Sequence, residues 1–394
     1  IPSGVKELTL SGLNPNFNKP IPSGVEKLEL RNLNSSFDQP IPSGVKDLKL
    51  SGLQNFNQPI PDGVKELKIH DLPSFNQSIP SGVKDLKLSG LNPNFNQPIP
   101  DGVEKLRLYK LSFNQPIPSG VKELTLYNLP NFNQPIPGGV KELELRELHD
   151  FNQPIPIGVK KLNLSVLPDF NQSIPGGVEK LELWNLNHNF NQLIPNKVKE
   201  LLLSDLQNFN KSIPRGVEKL KLSYLRNFNK SIPDGVKEME LFDLHNFNRT
   251  IPDGVEKLTL GGFNFNQPIP GGVKDLELLD LPNFNQLIPS GLEKISLYKL
   301  QNFNQPIPDG VKELSLSDLQ NFNQSIPSRV EKLRLYKLQN FNQSIPDGVE
   351  TLNLSGLPNF NQSIPDGVKE LRLKDLHILK TNNVPERFRR LKWN

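Results

Sequence analysis

Apolar residues recur along this chain at six fixed places within a short period. Between Phe303 and Leu319 they are Phe303, Ile307, Val311, Leu314, Leu316 and Leu319, with mostly charged or small polar residues between them. The Ile-Pro pair that opens each period falls at Ile1, Ile21, Ile41, Ile60, Ile79 and Ile99 and continues to Ile364, at intervals of 18 to 20 residues and most often 19. Leu314-Ser315-Leu316 alternates with a period of two, the pattern of a short half-buried strand. A proline in every period excludes a helical repeat, because proline removes a helix hydrogen bond and clashes with the preceding turn. The segment Ile307-Pro308-Asp309-Gly310 suits a type I turn with Pro at its second position and Gly at its fourth. Lys197 and Arg329 replace that glycine in two copies, so a positive φ is not strictly demanded there.

Charges predict how the copies stack. After the Val position come Glu179-Lys180, Lys199-Glu200, Glu218-Lys219, Lys237-Glu238, Glu256-Lys257, Lys274-Asp275, Glu293-Lys294, Lys312-Glu313 and Glu331-Lys332. The sign flips at both positions in every one of these nine consecutive copies. If adjacent strands lie parallel and in register about 4.8 Å apart, each charge faces opposite charges on both neighbours. Phe fills one column 19 times, from Phe17 to Phe360, and the next residue is Asn except at Asp38. These columns predict a buried stack of Phe rings and a ladder of Asn side chains bonded to backbone or to one another.

The run Val-x-x-Leu-x-Leu-x-x-Leu resembles the strand segment of a leucine-rich repeat. More specifically, Phe303-Asn304-Gln305-Pro306-Ile307-Pro308 resembles the FNIP repeat, a leucine-rich-repeat-like unit of social amoebae and of large DNA viruses of protists. The resemblance covers essentially the whole chain. Leu319 stands where an ordinary leucine-rich repeat has Asn or Cys. The expected fold is an all-β-like repeat solenoid: one parallel sheet of about 21 short repeats of 18–20 residues, with a convex side of turns and extended Pro-rich segments. The solenoid is expected over residues 1–376, and 377–394 as a degenerate capping repeat. There Phe388 takes the Val column, Arg387 the Gly position and Trp393 the second Leu column. The resemblance implies protein binding, and in members with an F-box a substrate-recognition arm of a ubiquitin ligase. No F-box-like segment is visible in this sequence.

Composition narrows the chemistry. The 46 basic and 42 acidic residues leave a formal charge of +4, a mixed surface with no general case for nucleic acid. The absence of Cys removes disulfides and thiolate metal sites and fits a reducing compartment. No apolar run reaches membrane-spanning length. His70, His149, His188, His245 and His377 lie in different copies, which argues against a metal cluster or catalytic dyad. No phosphate loop or nucleophile elbow is present. The sequence therefore predicts a monomer without catalysis, cofactor or metal, acting on a protein partner. Asn76, Asn171, Asn210, Asn229, Asn248, Asn323, Asn342 and Asn361 open glycosylation sequons inside the Asn column. Glycans there would occupy ladder side chains, so the expected location is intracellular, in the cytoplasm of a host cell.

Specificity in a solenoid lives where the copies differ. The least uniform strand-face column follows the second strand Leu and carries Tyr109, Tyr127, Trp184, Phe242, Tyr298 and Tyr336, residue types that dominate binding hot spots. Two residues earlier, on the same face, Lys49, Lys68, Lys87 and Arg107 stand in four successive copies. Like charges so close cost stability and invite an anionic partner. Duplication competes with both readings: Leu-Tyr-Lys-Leu occurs at Leu108, Leu297 and Leu335, and VKDLKLSGL at both Val45 and Val83. The alternative function is a structural rod or fibre component.

Overall fold

A computed structural model describes residues 1–12, 18–33, 37–92, 94–376 and 378–389. The chain divides into two compact units, Ile1–Lys197 and Val198–Asn394. Each holds ten short strands, from Glu7–Ser11 to Lys180–Leu186 in the first and from Glu200–Ser204 to Glu370–Lys374 in the second. Among the described residues the only helical structure is two 3-10 turns, Thr381–Asn383 and Glu386–Phe388. Within each unit every strand pairs parallel and in register with the next, so Leu stacks on Leu, as in Leu314 on Leu333.

The turn that feeds each strand lies one residue later than the sequence suggests. The Val311 N–H donates to Pro308 O at 3.4 Å, so Asp309 and Gly310 are its central residues and Ile307 lies outside it. The glycine is favoured for space, not for φ. A Cβ on Gly82 would sit 2.4 Å from Asp62 O of the preceding copy, and on Gly254 equally close to Asp234 O. Lys197 and Arg329 keep the turn while placing a Cβ at that approach. Positive φ belongs to another column, the residue just after the strand's variable position, mostly Gly, Asn or Asp. Asp318 at φ 53° is typical, and its N–H donates to Tyr336 O at 2.9 Å, extending the ladder by one rung. Val166, at φ 54°, is the β-branched member of that column.

The Ile, Val, Leu and Phe columns form the core of each unit. Rings stack nearly parallel, as Phe151 on Phe170 at 6.3 Å and 9°, and Phe303 on Phe322 at 6.3 Å and 7°. The stack turns edge-on at Phe247–Phe263, where Phe263 stands in the Leu column. A ring interval of 6.1–6.4 Å exceeds the roughly 4.8 Å between strands. The rings are thus spaced wider than the strands they accompany.

Beside the rings runs the predicted ladder, but on the surface. Asn57 Oδ1 accepts from the Asn76 N–H at 3.0 Å while Gln77 Nε2 donates to Asn57 O at 3.1 Å. Asn304 Oδ1 likewise receives Gln324 Nε2 at 3.2 Å. In the second unit the Asn before the Phe makes a second rung, as Asn321 Nδ2 donating to Gln301 O at 3.1 Å. The sequence missed that these Asn are exposed: the ladder fixes the outer turn without filling the core.

At the C-terminal end Val384 is buried in the Ile column, and Asn383 O accepts the Ile364 N–H at 2.8 Å. Asn383 Nδ2 donates to Asn361 O at 3.0 Å, so the ladder continues past the last Phe-Asn. Arg387, in the Gly position, donates to the carbonyls of Asp366 and Val368. His377 and the end of the expected cap, with Leu391 and Trp393, lie outside the described residues.

Candidate functional site: the strand face

Three columns point outward from each strand: the charged residue that opens it, the residue between the two Leu, and the variable residue after them. The first column holds the ion-pair ladder. In the second unit Lys199 meets Glu218 at 2.8 Å, Lys219 meets Glu238 at 2.9 Å and Lys312 meets Glu293 at 3.5 Å, involving also the column just before the strand. In the first unit Glu26 accepts from Lys6 and Lys46, which hold its carboxyl down to about 2.

The first unit departs from alternation three times, and in one of them Lys161 faces Lys180. Asp47, Glu66 and Asp85 face one another in register, as do Glu123 and Glu142. Alongside the first row runs the basic column, Lys49 opposite Lys68 opposite Lys87 opposite Arg107. Its charge is partly compensated. Arg107 bonds Asp85 at 2.8 Å and lies 3.9 Å from Glu123, and Lys68 lies 3.7 Å from Glu66. Lys87 instead lies over the Tyr109 ring at 5.1 Å, and no ion pair forms at Lys49.

The six aromatic residues of the variable column share the strand face but form separate groups. In the first unit Tyr109 and Tyr127 meet edge to face at 6.2 Å. Arg146, which the sequence reading left out, stacks on Tyr127 at 5.3 Å and reaches Trp184 at 6.0 Å. The small Ser165 on the intervening strand makes this span possible; it is buried there, and its hydroxyl has no hydrogen-bond partner. Lys87, Tyr109, Tyr127, Arg146 and Trp184 thus make one joined row, in which Trp184 is 44% exposed. Burial, and then the Glu144 carboxylate, push the Tyr109 hydroxyl up from its ordinary value. Below the row lies a trough of about 330 Å³, floored by Leu124, Leu143 and Leu162 and walled by Glu142, Glu144 and Glu182.

In the second unit the Phe242 ring lies against Gly261, where a Cβ would come within 2.8 Å of it. Tyr298 and Tyr336 flank Ser317, and each is covered by the lysine that follows it, Lys299 at 5.1 Å and Lys337 at 4.9 Å. Among the described residues no group of His, Asp or Glu converges as metal ligands do. Among the described residues no helix is long and apolar enough to cross a membrane.

No protein-family model matches the chain, and no curated protein matches it. Among solved structures it is similar to CroV588, a circular leucine-rich-repeat protein, at 22% identity over 93% of this chain and 69% of that one, with a TM-score of 0.65. It is also similar to YopM from Yersinia enterocolitica, at 14% identity over 93% of this chain and 91% of that one, with a TM-score of 0.53. These likenesses show the fold, a leucine-rich-repeat-like solenoid. The Arabidopsis receptor kinase HAESA ectodomain aligns over 93% of this chain at 18% identity, but its TM-score of 0.40 is too low to bear on function.

Proposed function

We propose that the chain is a non-catalytic protein-interaction scaffold whose partner binds on the strand face of the first unit. The joined row from Lys87 through Tyr109, Tyr127 and Arg146 to Trp184 carries this reading. Trp, Tyr and Arg anchor binding hot spots, and rings already held by neighbouring cations lose little freedom when a partner covers them. The like-charged rows beside it support the same reading, because they retain a cost that alternation would remove. The regularity of the second unit favours the structural alternative for that unit alone.

The finer form of this role is the one the Phe-Asn-x-x-Ile-Pro resemblance implies, a substrate-recognition arm of a ubiquitin ligase. The location we propose is intracellular, for a reason of spacing. Sequon chemistry acts on Nδ2 whereas the ladder accepts on Oδ1, so occupancy of the rung is not the obstacle. Asn323, Asn342 and Asn361 lie in successive copies, and three glycans would have to leave side chains about 5–6 Å apart. Secretion of a folded chain with all three occupied would overturn this location.

The binding face is tested by capture from host lysate with the whole chain. Tyr127→Ser with Trp184→Ser should abolish capture without changing the melting curve, while Phe242→Ser should keep it. Equal capture by all three proteins would reject the first unit's face as the binding surface.

A further inference from the structure

Upstream of the aromatic row, a second trough of about 350 Å³ crosses the strands from Lys27–Arg31 to Asp85–Leu91. We propose that it receives an extended acidic segment of the partner, whose Asp and Glu side chains lie along the Lys49–Lys68–Lys87 column. This rests on the binding face above and names the chemistry of what binds there. The three lysines are in register on adjacent strands, about 4.8 Å apart. One of them has a carboxylate within reach, Lys68 with Glu66 at 3.7 Å. Lys87 is held by the Tyr109 ring, a contact that leaves its ammonium donors for a carboxylate, and Lys49 has no ion-pair partner. His70 adds a hydrogen-bonding edge: its Nδ1 pairs with Ser89 Oγ at 2.8 Å, whose hydroxyl donates on to Ile69 O at 3.4 Å, which leaves Nε2 to accept from a peptide N–H. Glu29 is the carboxylate in the trough wall, and Arg31 already neutralises it.

The arrangement selects a peptide over a nucleic acid. The basic column is a single residue wide, and the carboxylates of Asp47, Glu66 and Asp85 run beside it in the same register. A polyanion with charge on every unit of its backbone would meet that acidic row. An extended peptide places same-face side chains about 6.6 Å apart, a spacing that flexible lysine stems reach. It turns its uncharged backbone toward the rest of the face.

Fluorescein-labelled octaglutamate is the probe, titrated with the whole chain and read by anisotropy at low and physiological salt. Lys49→Glu with Lys68→Glu should weaken binding about tenfold or more, whereas Lys211→Glu with Lys230→Glu, an equal change in net charge on the second unit, should change it less than about twofold. Lys49→Ala with Lys68→Ala gives the same reading if the reversed charges disturb folding. The proposal fails if the unaltered chain does not bind the peptide, if both charge reversals weaken it equally, or if an oligouridine binds the same lysines more tightly. A partner still captured through Tyr127 and Trp184 by the lysine variants would reject the acidic segment and leave the binding face standing.

Discussion

The two units are built from the same copy and differ in how strictly they keep its charge pattern. From Lys199-Glu200 to Glu331-Lys332 the second unit reverses sign at every step, and its lysines bond carboxylates on neighbouring copies. The first unit keeps Lys46-Asp47, Lys65-Glu66 and Lys84-Asp85 in succession, then Lys122-Glu123 and Lys141-Glu142, and then sets Lys161 against Lys180. Those lapses adjoin the lysine column and the Tyr109–Trp184 row. Stacking alone rewards alternation, so each lapse retains a cost, and the lapses sit beside the surface proposed to bind.

The largest expected effect concerns what the units share. Phe151→Ala in the first and Phe322→Ala in the second each remove a ring packed between two others and should cost about 3–5 kcal/mol. Hydrogen exchange should report lost protection first in the unit that carries the change, since contacts in a solenoid run between neighbouring copies. Uniform loss across the chain would mean the units are not separate in stability. Deleting residues 382–394 removes Val384 and the Arg387 contacts and uncovers the Ile364 end. It should lower stability by about 2 kcal/mol and promote end-to-end association in sedimentation; an unchanged monomer would dismiss the cap.

A smaller effect probes backbone strain. Val166→Asn, at φ 54° in the first unit, should raise stability by about 1 kcal/mol, and Tyr224→Asn at the same φ in the second should act in the same direction. Destabilisation at either site would show that side-chain packing there outweighs the strain. Smallest is the charge pattern itself. Lys65→Glu with Glu66→Lys restores alternation across three copies and should add about 0.5 kcal/mol at low salt, fading at high salt. If the swap destabilises, the lapse is not a cost and loses its meaning as a mark of function. Acid should weaken the intact ladders. Hydrogen bonds from lysines lower the carboxyls of Glu26, Glu218 and Glu313, Glu26 to about 2. Their contribution is present above the ordinary value of 4.5 and is lost as pH falls below it, through about 2 for Glu26.

The strands, the Phe stack and the Asn ladder were legible because each occupies a column that stacking forces every copy to share. The turn was misplaced by one residue because Ile-Pro-x-Gly and Pro-x-Gly-Val are equally compatible with its composition. The left-handed column went unread although Gly, Asn and Asp crowd it, since Lys110, Glu147 and Tyr224 mask the preference. The aromatic residues could be named from their column, but their grouping could not. Whether Arg146 reaches both Tyr127 and Trp184 depends on a serine two strands from Tyr127 and on side-chain rotamers. The carboxylates beside the lysines were visible in the sequence, yet their role as partners depends on distances such as Arg107 to Asp85.

The alternating ladder of the second unit also bears on how such a gene can change length. Loss of one copy by unequal recombination would join two copies of the same sign pattern and set Lys against Lys and Glu against Glu at the seam. Loss or gain of two copies would heal without a scar. The ladder therefore works as a parity check on copy number, favouring growth in pairs, and an odd insertion would leave its record as a like-charged row.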